Sequence, residues 1–140
     1  MEKNESDIEI IGLADEAVSD YLKKYGRTKE VAVPLENIHL LKEGGVKEFT
    51  QGRLIRGGHS TTLGSIMVDR SDSNVEFALT TFHELFHLKS YQVIQVIMEG
   101  GKAKKIEPYR AGFSVTSRDG KIAYFANIEE AIVAYMERKF

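Results

Sequence analysis

Residues 73 to 101 hold the feature that most constrains this chain. Ser73 stands three residues before Glu76, and the run that follows (Val75, Phe77, Leu79, Phe82, Leu85, Phe86, Leu88, Val93, Ile94, Val96, Ile97) ends at Gly100-Gly101. A Ser followed three residues later by Glu can satisfy two orphan amide donors at a helix start, and glycine ends helices because it tolerates left-handed backbone. The pattern predicts one long helix from about Asn74 to Gly100-Gly101. Being apolar nearly all round, that helix should be buried at the centre of the domain. A membrane span is the rival, but His83, Glu84, His87 and Lys89 in its middle would be costly in hydrocarbon. With 140 residues the chain has room for one core around such a helix, so residues 1–140 are expected to form a single domain.

The remaining elements follow from shorter signals. Ser6-Asp7-Ile8-Glu9 has capping-box form and precedes Ile8, Ile11, Ala14, Val18, Tyr21, Leu22 and Tyr25 at roughly helical spacing, which predicts an amphipathic helix over 7–25 with Gly26 as its stop. Val31 to Leu35 and Ile38 to Leu41 suggest short extended pieces, with Pro34 arguing against a central strand and Gly44-Gly45 providing a turn. The stretch from Gly52 to Gly64, rich in Gly, Ser and Thr, leads into a strand ending near Asp69. Ala111 to Val115 and Lys121 to Phe125 flank Asp119-Gly120, a hairpin turn signal. A last helix should start near Asn127, with Asn127 as its cap and Glu129 and Glu130 in its first turn, where carboxylates suit the helix dipole. The expected class is α+β: a small mixed or antiparallel sheet packed with the long helix, an N-terminal helix and a C-terminal helix.

Composition removes whole classes of function. Nineteen basic against twenty-one acidic residues leave a net charge of -2, which gives no case for a general nucleic-acid or anionic-membrane partner. The start lacks a secretory pattern and no uncharged apolar run reaches membrane length, so a soluble cytoplasmic protein is expected. With no cysteine, thiolate nucleophiles and Cys-based metal sites are excluded. Any metal must be held by carboxylates and the four histidines, His39, His59, His83 and His87.

Two of these stand four apart in Thr81-Phe82-His83-Glu84-Leu85-Phe86-His87. Residues i and i+4 of a helix lie one turn apart and offset by about 40°, so both imidazoles can converge on one ion. Glu84 lies about 100° round the helix from His83, placed to reach a water on that ion rather than to join the same ligand set. This is the HExxH pattern, in which two imidazoles hold zinc and the carboxylate is general base. The metzincin continuation needs Gly three residues and His six residues past the second histidine, and Ser90 and Val93 stand there instead. A third ligand must come from His39, His59, Asp119, Glu129 or Glu130. Asp119 reads as a turn residue, His39 as partly exposed on an alternating strand, and His59 as a loop residue.

Phe82-His83-Glu84-Leu85-Phe86-His87 followed by Ile128-Glu129-Glu130-Ala131-Ile132 resembles the gluzincin metallopeptidases over about residues 66–137. In that family a glutamate from a second helix is the third zinc ligand, often within an Asn-Glu-Ala-Ile type motif, and Glu130 matches it. Glu129 replaces the family's usual Asn, and Ala134 replaces the acidic residue frequently found four after the ligand. The resemblance implies a minimal zincin-like fold, a bound Zn2+, hydrolysis of a peptide or protein substrate with Glu84 as general base, and a strand ending near Val68 that rims the cleft and pairs with an extended peptide. Tyr109, Arg110, Tyr135 and His59 are candidates for stabilising an oxyanion. The alternative is a catalytically inactive zinc-binding interaction or regulatory domain, against which the intact Glu84 speaks. The sequence leaves substrate specificity and oligomeric state open.

Overall fold

The apolar run divides after one turn past His87. In a computed structural model, which describes residues 1–27, 29 and 31–140, helix α3 spans Asn74–Lys89 and strand β4 spans Gln92–Glu99. The single long helix expected to reach Gly100-Gly101 is therefore a helix followed by a strand. Ser90 leaves helical geometry at ψ 170 while its N–H and hydroxyl both donate to Phe86 O, at 3.0 and 2.6 Å. The Gln92 amide donates to His87 O at 2.6 Å, satisfying another of the carbonyls that a helix end orphans. Beyond that stop, β-branched Val93, Ile94, Val96 and Ile97 favour the pleated chain. Gly100 and Gly101, at φ +58 and +77, form the two-residue turn to strand β5 (Lys102–Ala111), because this kind of hairpin turn needs positive φ at both central positions.

The fold is α+β, and the described residues form two small sheets instead of one. The first is mixed, with order β1-β3-β2, from β1 (Ile38–Lys42), β2 (Gly57–Ser60) and β3 (Ser65–Arg70). β3 runs parallel to β1, with Leu40 opposite Val68, and antiparallel to β2, with His59 opposite Ile66. The Gly-rich stretch thus contains an edge strand. β3, expected to rim a cleft, has partners on both sides, so the sheet's edges are β1 and β2. The second sheet is antiparallel, β4-β5-β6-β7, with β6 (Ser114–Thr116) and β7 (Ala123–Tyr124) closing the hairpin around Asp119-Gly120. Val31 to Val33 are not in a strand and Leu35–Asn37 is a single 3-10 turn. Gly44, at φ +78, starts a short helix α2 (Gly45–Phe49), whose first turn is held by Asp69 accepting from the Gly44 and Val46 amides, each at 2.8 Å.

Helix α1 (Glu5–Lys24) is capped by Asn4 and Asp7 rather than by Ser6 and Glu9. Both pairs fit the sequence, and the tertiary partner decides between them. Asp7 is buried and accepts from Arg70 Nε at 2.6 Å, which ties the helix start to the end of β3. Helix α4 (Ala126–Glu137) begins after Phe125, at φ +61, and no side chain caps it, so Asn127 is not its cap. No helix among the described residues is long and apolar enough to cross a membrane.

One core joins α1, the first sheet, α3 and α4. Ile11, Ala14 and Val18 of α1, Leu40 of β1, Ile66 and Val68 of β3, Phe77, Phe82 and Leu85 of α3, and Val133 of α4 pack around α3. Each fully buried side chain of this size contributes about 1.5–3 kcal/mol of burial. At the end of α3 the side chain of Lys89 is buried too, its ammonium 2.8 Å from Asp15 Oδ1 and 2.7 Å from Ser19 Oγ on α1. The two partners differ in burial, the Lys89 side chain being 2% exposed and that of Asp15 35%, so losing Asp15 strands a buried charge whereas losing the ammonium leaves a carboxylate that water can reach. Asp15→Ala should cost about 2–4 kcal/mol in urea unfolding and Lys89→Met less than about 1 kcal/mol. Equal losses would show that the ammonium is solvated and the pair immaterial.

Candidate metal centre

Helix α3 presents His83 and His87 one turn apart, and α4 crosses it carrying Glu129, Glu130 and Glu137. His83 Nε2 and His87 Nε2 lie 3.2 Å apart. Glu130 reaches both, with Oε2 at 3.3 Å from His83 Nε2 and Oε1 at 3.2 Å from His87 Nε2. These three residues form a group that could hold a metal ion. Metal-to-ligand distances of about 2.0–2.1 Å in a tetrahedral set imply ligand-to-ligand edges of about 3.3–3.4 Å, close to the spacings seen.

The outer contacts fix which nitrogen faces the site. His83 Nδ1 lies 3.0 Å from Glu137 Oε2, and an ionised carboxylate only accepts, so in the neutral ring that pairs with Glu137 the proton is on Nδ1 and Nε2 is free to bind an ion. His87 Nδ1 faces Glu129 Oε1 at 3.5 Å. Glu129 is itself fixed, accepting from the Phe113 amide at 2.8 Å where β5 turns into β6. Gly112, at φ +56 in that turn, has no room for a side chain, because a Cβ there would collide with the Glu129 carboxylate. Both imidazoles therefore have a carboxylate behind them, the arrangement that orients histidine ligands and raises their basicity.

With both rings neutral in that tautomer, three acceptors converge on one point, and a cation there would relieve their repulsion. A proton on His87 is the alternative. Burial opposes that proton, but the carboxylates of Glu129, Glu130 and Glu84 outweigh the cost and raise the His87 pKa above its ordinary 6.5. Burial likewise pushes Glu129 up, yet His87 and the Phe113 amide hold its carboxyl below its ordinary value.

Glu84 is buried on the same helix, and His59 of β2 meets it, Nδ1 to Oε2 at 3.2 Å, while stacking on the His87 ring at 4.8 Å between centroids. Of the five third-ligand candidates, Glu130 sits with the imidazole Nε2 atoms and Glu129 behind one of them. His59 flanks the site. His39 is exposed on β1, and Asp119 accepts from Ser117 Oγ at 2.6 Å within its turn. The other oxyanion candidates are engaged elsewhere. Tyr109 lies on β5 beside Gln95 and Arg118, Arg110 stacks on Tyr91, and Tyr135 is exposed beneath the Lys139 ammonium. Sequence reasoning missed Glu137. It lies seven residues after Glu130, two turns along one helix face, and meets His83 Nδ1.

Two outcomes follow from these contacts. Glu137→Ala and Glu129→Ala should each weaken metal affinity by about 10–100-fold in a competitive chelator titration, and unchanged affinity would show that these carboxylates do not support the ligands. Because the folded-state pKa of His87 is raised, its contribution to the metal-free protein is complete below the unfolded value of about 6.5 and is lost as pH rises through the folded value. The gain in Tm on adding metal should therefore grow from pH 5.5 to pH 8, and a gain that shrinks over that range would contradict the assignment. Comparison with protein-family models, with curated proteins and with solved structures returns no match, so the functional case rests on this geometry.

Proposed function

We propose that the protein is a zinc-dependent peptidase in which His83, His87 and Glu130 hold the ion and Glu84 is the general base. The observation that carries this reading is the convergence of two imidazole Nε2 atoms and one Glu130 carboxylate, with the buried Glu84 near enough for its charge to act on His87. Two nitrogen donors in a set of three favour zinc over magnesium or calcium, which prefer oxygen. A third protein ligand in place of a fourth leaves a position for chemistry, as catalytic zinc sites do.

Bound there, zinc supplies Lewis acidity towards a water molecule and a substrate carbonyl oxygen. The chain's own groups do the rest. Glu84 takes the proton of the attacking water and passes it to the leaving amine, so one carboxylate serves as base and then as acid. Its burial keeps competing water away and strengthens its field at the reacting atoms. Glu137 and Glu129 hold the two imidazoles so that only Nε2 faces the ion. An extended substrate would add to the outer edge of β2, the strand that lies against Glu84.

The test joins metal content to turnover. Purified protein should carry one zinc per chain by elemental analysis and cleave members of a peptide library. Glu84→Gln should keep the metal and lose about 10²–10⁴-fold in kcat. A Glu84→Gln variant as active as wild type would rule out the general-base role.

A further inference from the structure

His59 does a task that metal binding does not require. It comes from the edge strand β2 and not from the helices that supply the ligands, yet it touches the site twice. Its Nδ1 lies 3.2 Å from Glu84 Oε2, and its ring stacks on His87 at an interplanar angle of 19°. Two residues earlier on β2, and so on the same face of the strand, Gly57 closes on Glu84 from another side. A Cβ at Gly57 would stand 2.8 Å from both Cγ and Oε1 of Glu84, so the backbone approaches the carboxylate as only glycine allows. Glu84 thus meets β2 twice, packing against the Gly57 backbone on one side and facing the His59 imidazole with Oε2 on the other.

We propose that His59 is a positioning residue that donates its Nδ1–H to Glu84 Oε2 and holds the carboxylate in one orientation beside the metal-facing atoms of His83 and His87. The inference deepens the peptidase reading and rests on it. The chemistry of the pair sets the donor. Glu84 as an ionised base offers only acceptors, so the facing nitrogen must carry the proton, leaving Nε2 of His59 as the bare atom. The His87 stack fixes the plane of the ring, and β2's pairing with β3, His59 opposite Ile66, fixes its height along the helix. A glutamate without that grip has several rotamers of similar energy, and only one of them faces the reacting water. Removing His59 should therefore slow the chemical step and leave the ion in place.

Two measurements test this, the first needing no turnover. Long-range 1H–15N correlation spectra of the metal-free protein assign the His59 tautomer. Nδ1–H is expected in the wild type, with a change to Nε2–H in Glu84→Ala, and a bare Nδ1 in the wild type overturns the proposal. In hydrolysis by the zinc-loaded protein, His59→Ala should lower kcat by about 10–100-fold with KM and bound zinc unchanged. His59→Asn, whose amide N–H can stand where Nδ1 stood, should recover most of that loss. Zinc loss in His59→Ala, or an Asn variant no better than Ala, overturns the role. A wild type without turnover rejects the peptidase reading and the positioning role with it, whereas a bare Nδ1 in an active wild type rejects the positioning role alone.

Discussion

Two imidazole nitrogens 3.2 Å apart, each ring with a carboxylate on its far side, share at most one proton between them, and the Glu130 carboxylate beside them adds a further acceptor. His87 is buried, His83 half-buried and Glu130 exposed, and the buried lone pair is costly unless a proton or a cation meets it. Much of the fold can be understood as the scaffold that sustains this convergence. The helix that carries both histidines is enclosed by α1, the three-stranded sheet and α4, and its apolar residues supply most of the core. That core holds the two imidazoles at fixed height, so α4 need only bring its carboxylates across.

Helix α4 is the economical part of the design. Its first turn supplies Glu129 behind His87, the next residue is Glu130 in front of both histidines, and its last turn supplies Glu137 behind His83. One helix therefore contributes a candidate ligand and the carboxylates behind both imidazoles. Its start is fixed by the second sheet, since Glu129 accepts from Phe113 in the β5–β6 turn. The second sheet is joined to the helix end by Gln92, which caps His87 O and meets Thr61 from the β2–β3 connection at 3.0 Å. The two sheets and the two helices thus meet around His87, the most enclosed of the three ligand candidates.

What could be read from the sequence was whatever local pattern decides alone. The His83–His87 spacing needs only helical geometry, and the Ser73 start, the β3 strand, the Asp119-Gly120 turn and the final helix were all local signals. The errors arose where two patterns fit the same residues. An apolar run without a breaker suits a buried helix or a strand, and Gln92 to Glu99 became a strand because Ser90 and Gln92 satisfy the carbonyls of α3 and β5 offers a partner. Its β-branched residues ahead of Gly-Gly were the available signal. The choice of Asn4 over Ser6 as cap depended on Arg70, sixty-three positions from Asp7, and no local rule could supply it. Likewise Glu130 could be picked only through resemblance, and Glu137 and the His59–Glu84 contact depend on how α4 and β2 lie against α3.

The most direct test of this account is a zinc-edge anomalous difference map from crystals of the metal-loaded protein. The account predicts one ion per chain, about 2.0–2.1 Å from His83 Nε2, His87 Nε2 and a Glu130 oxygen, with Glu129 and Glu137 outside the ligand set. An ion bound through Glu129 or through Nδ1 of either histidine, or no ion at this point under saturating zinc, would contradict it.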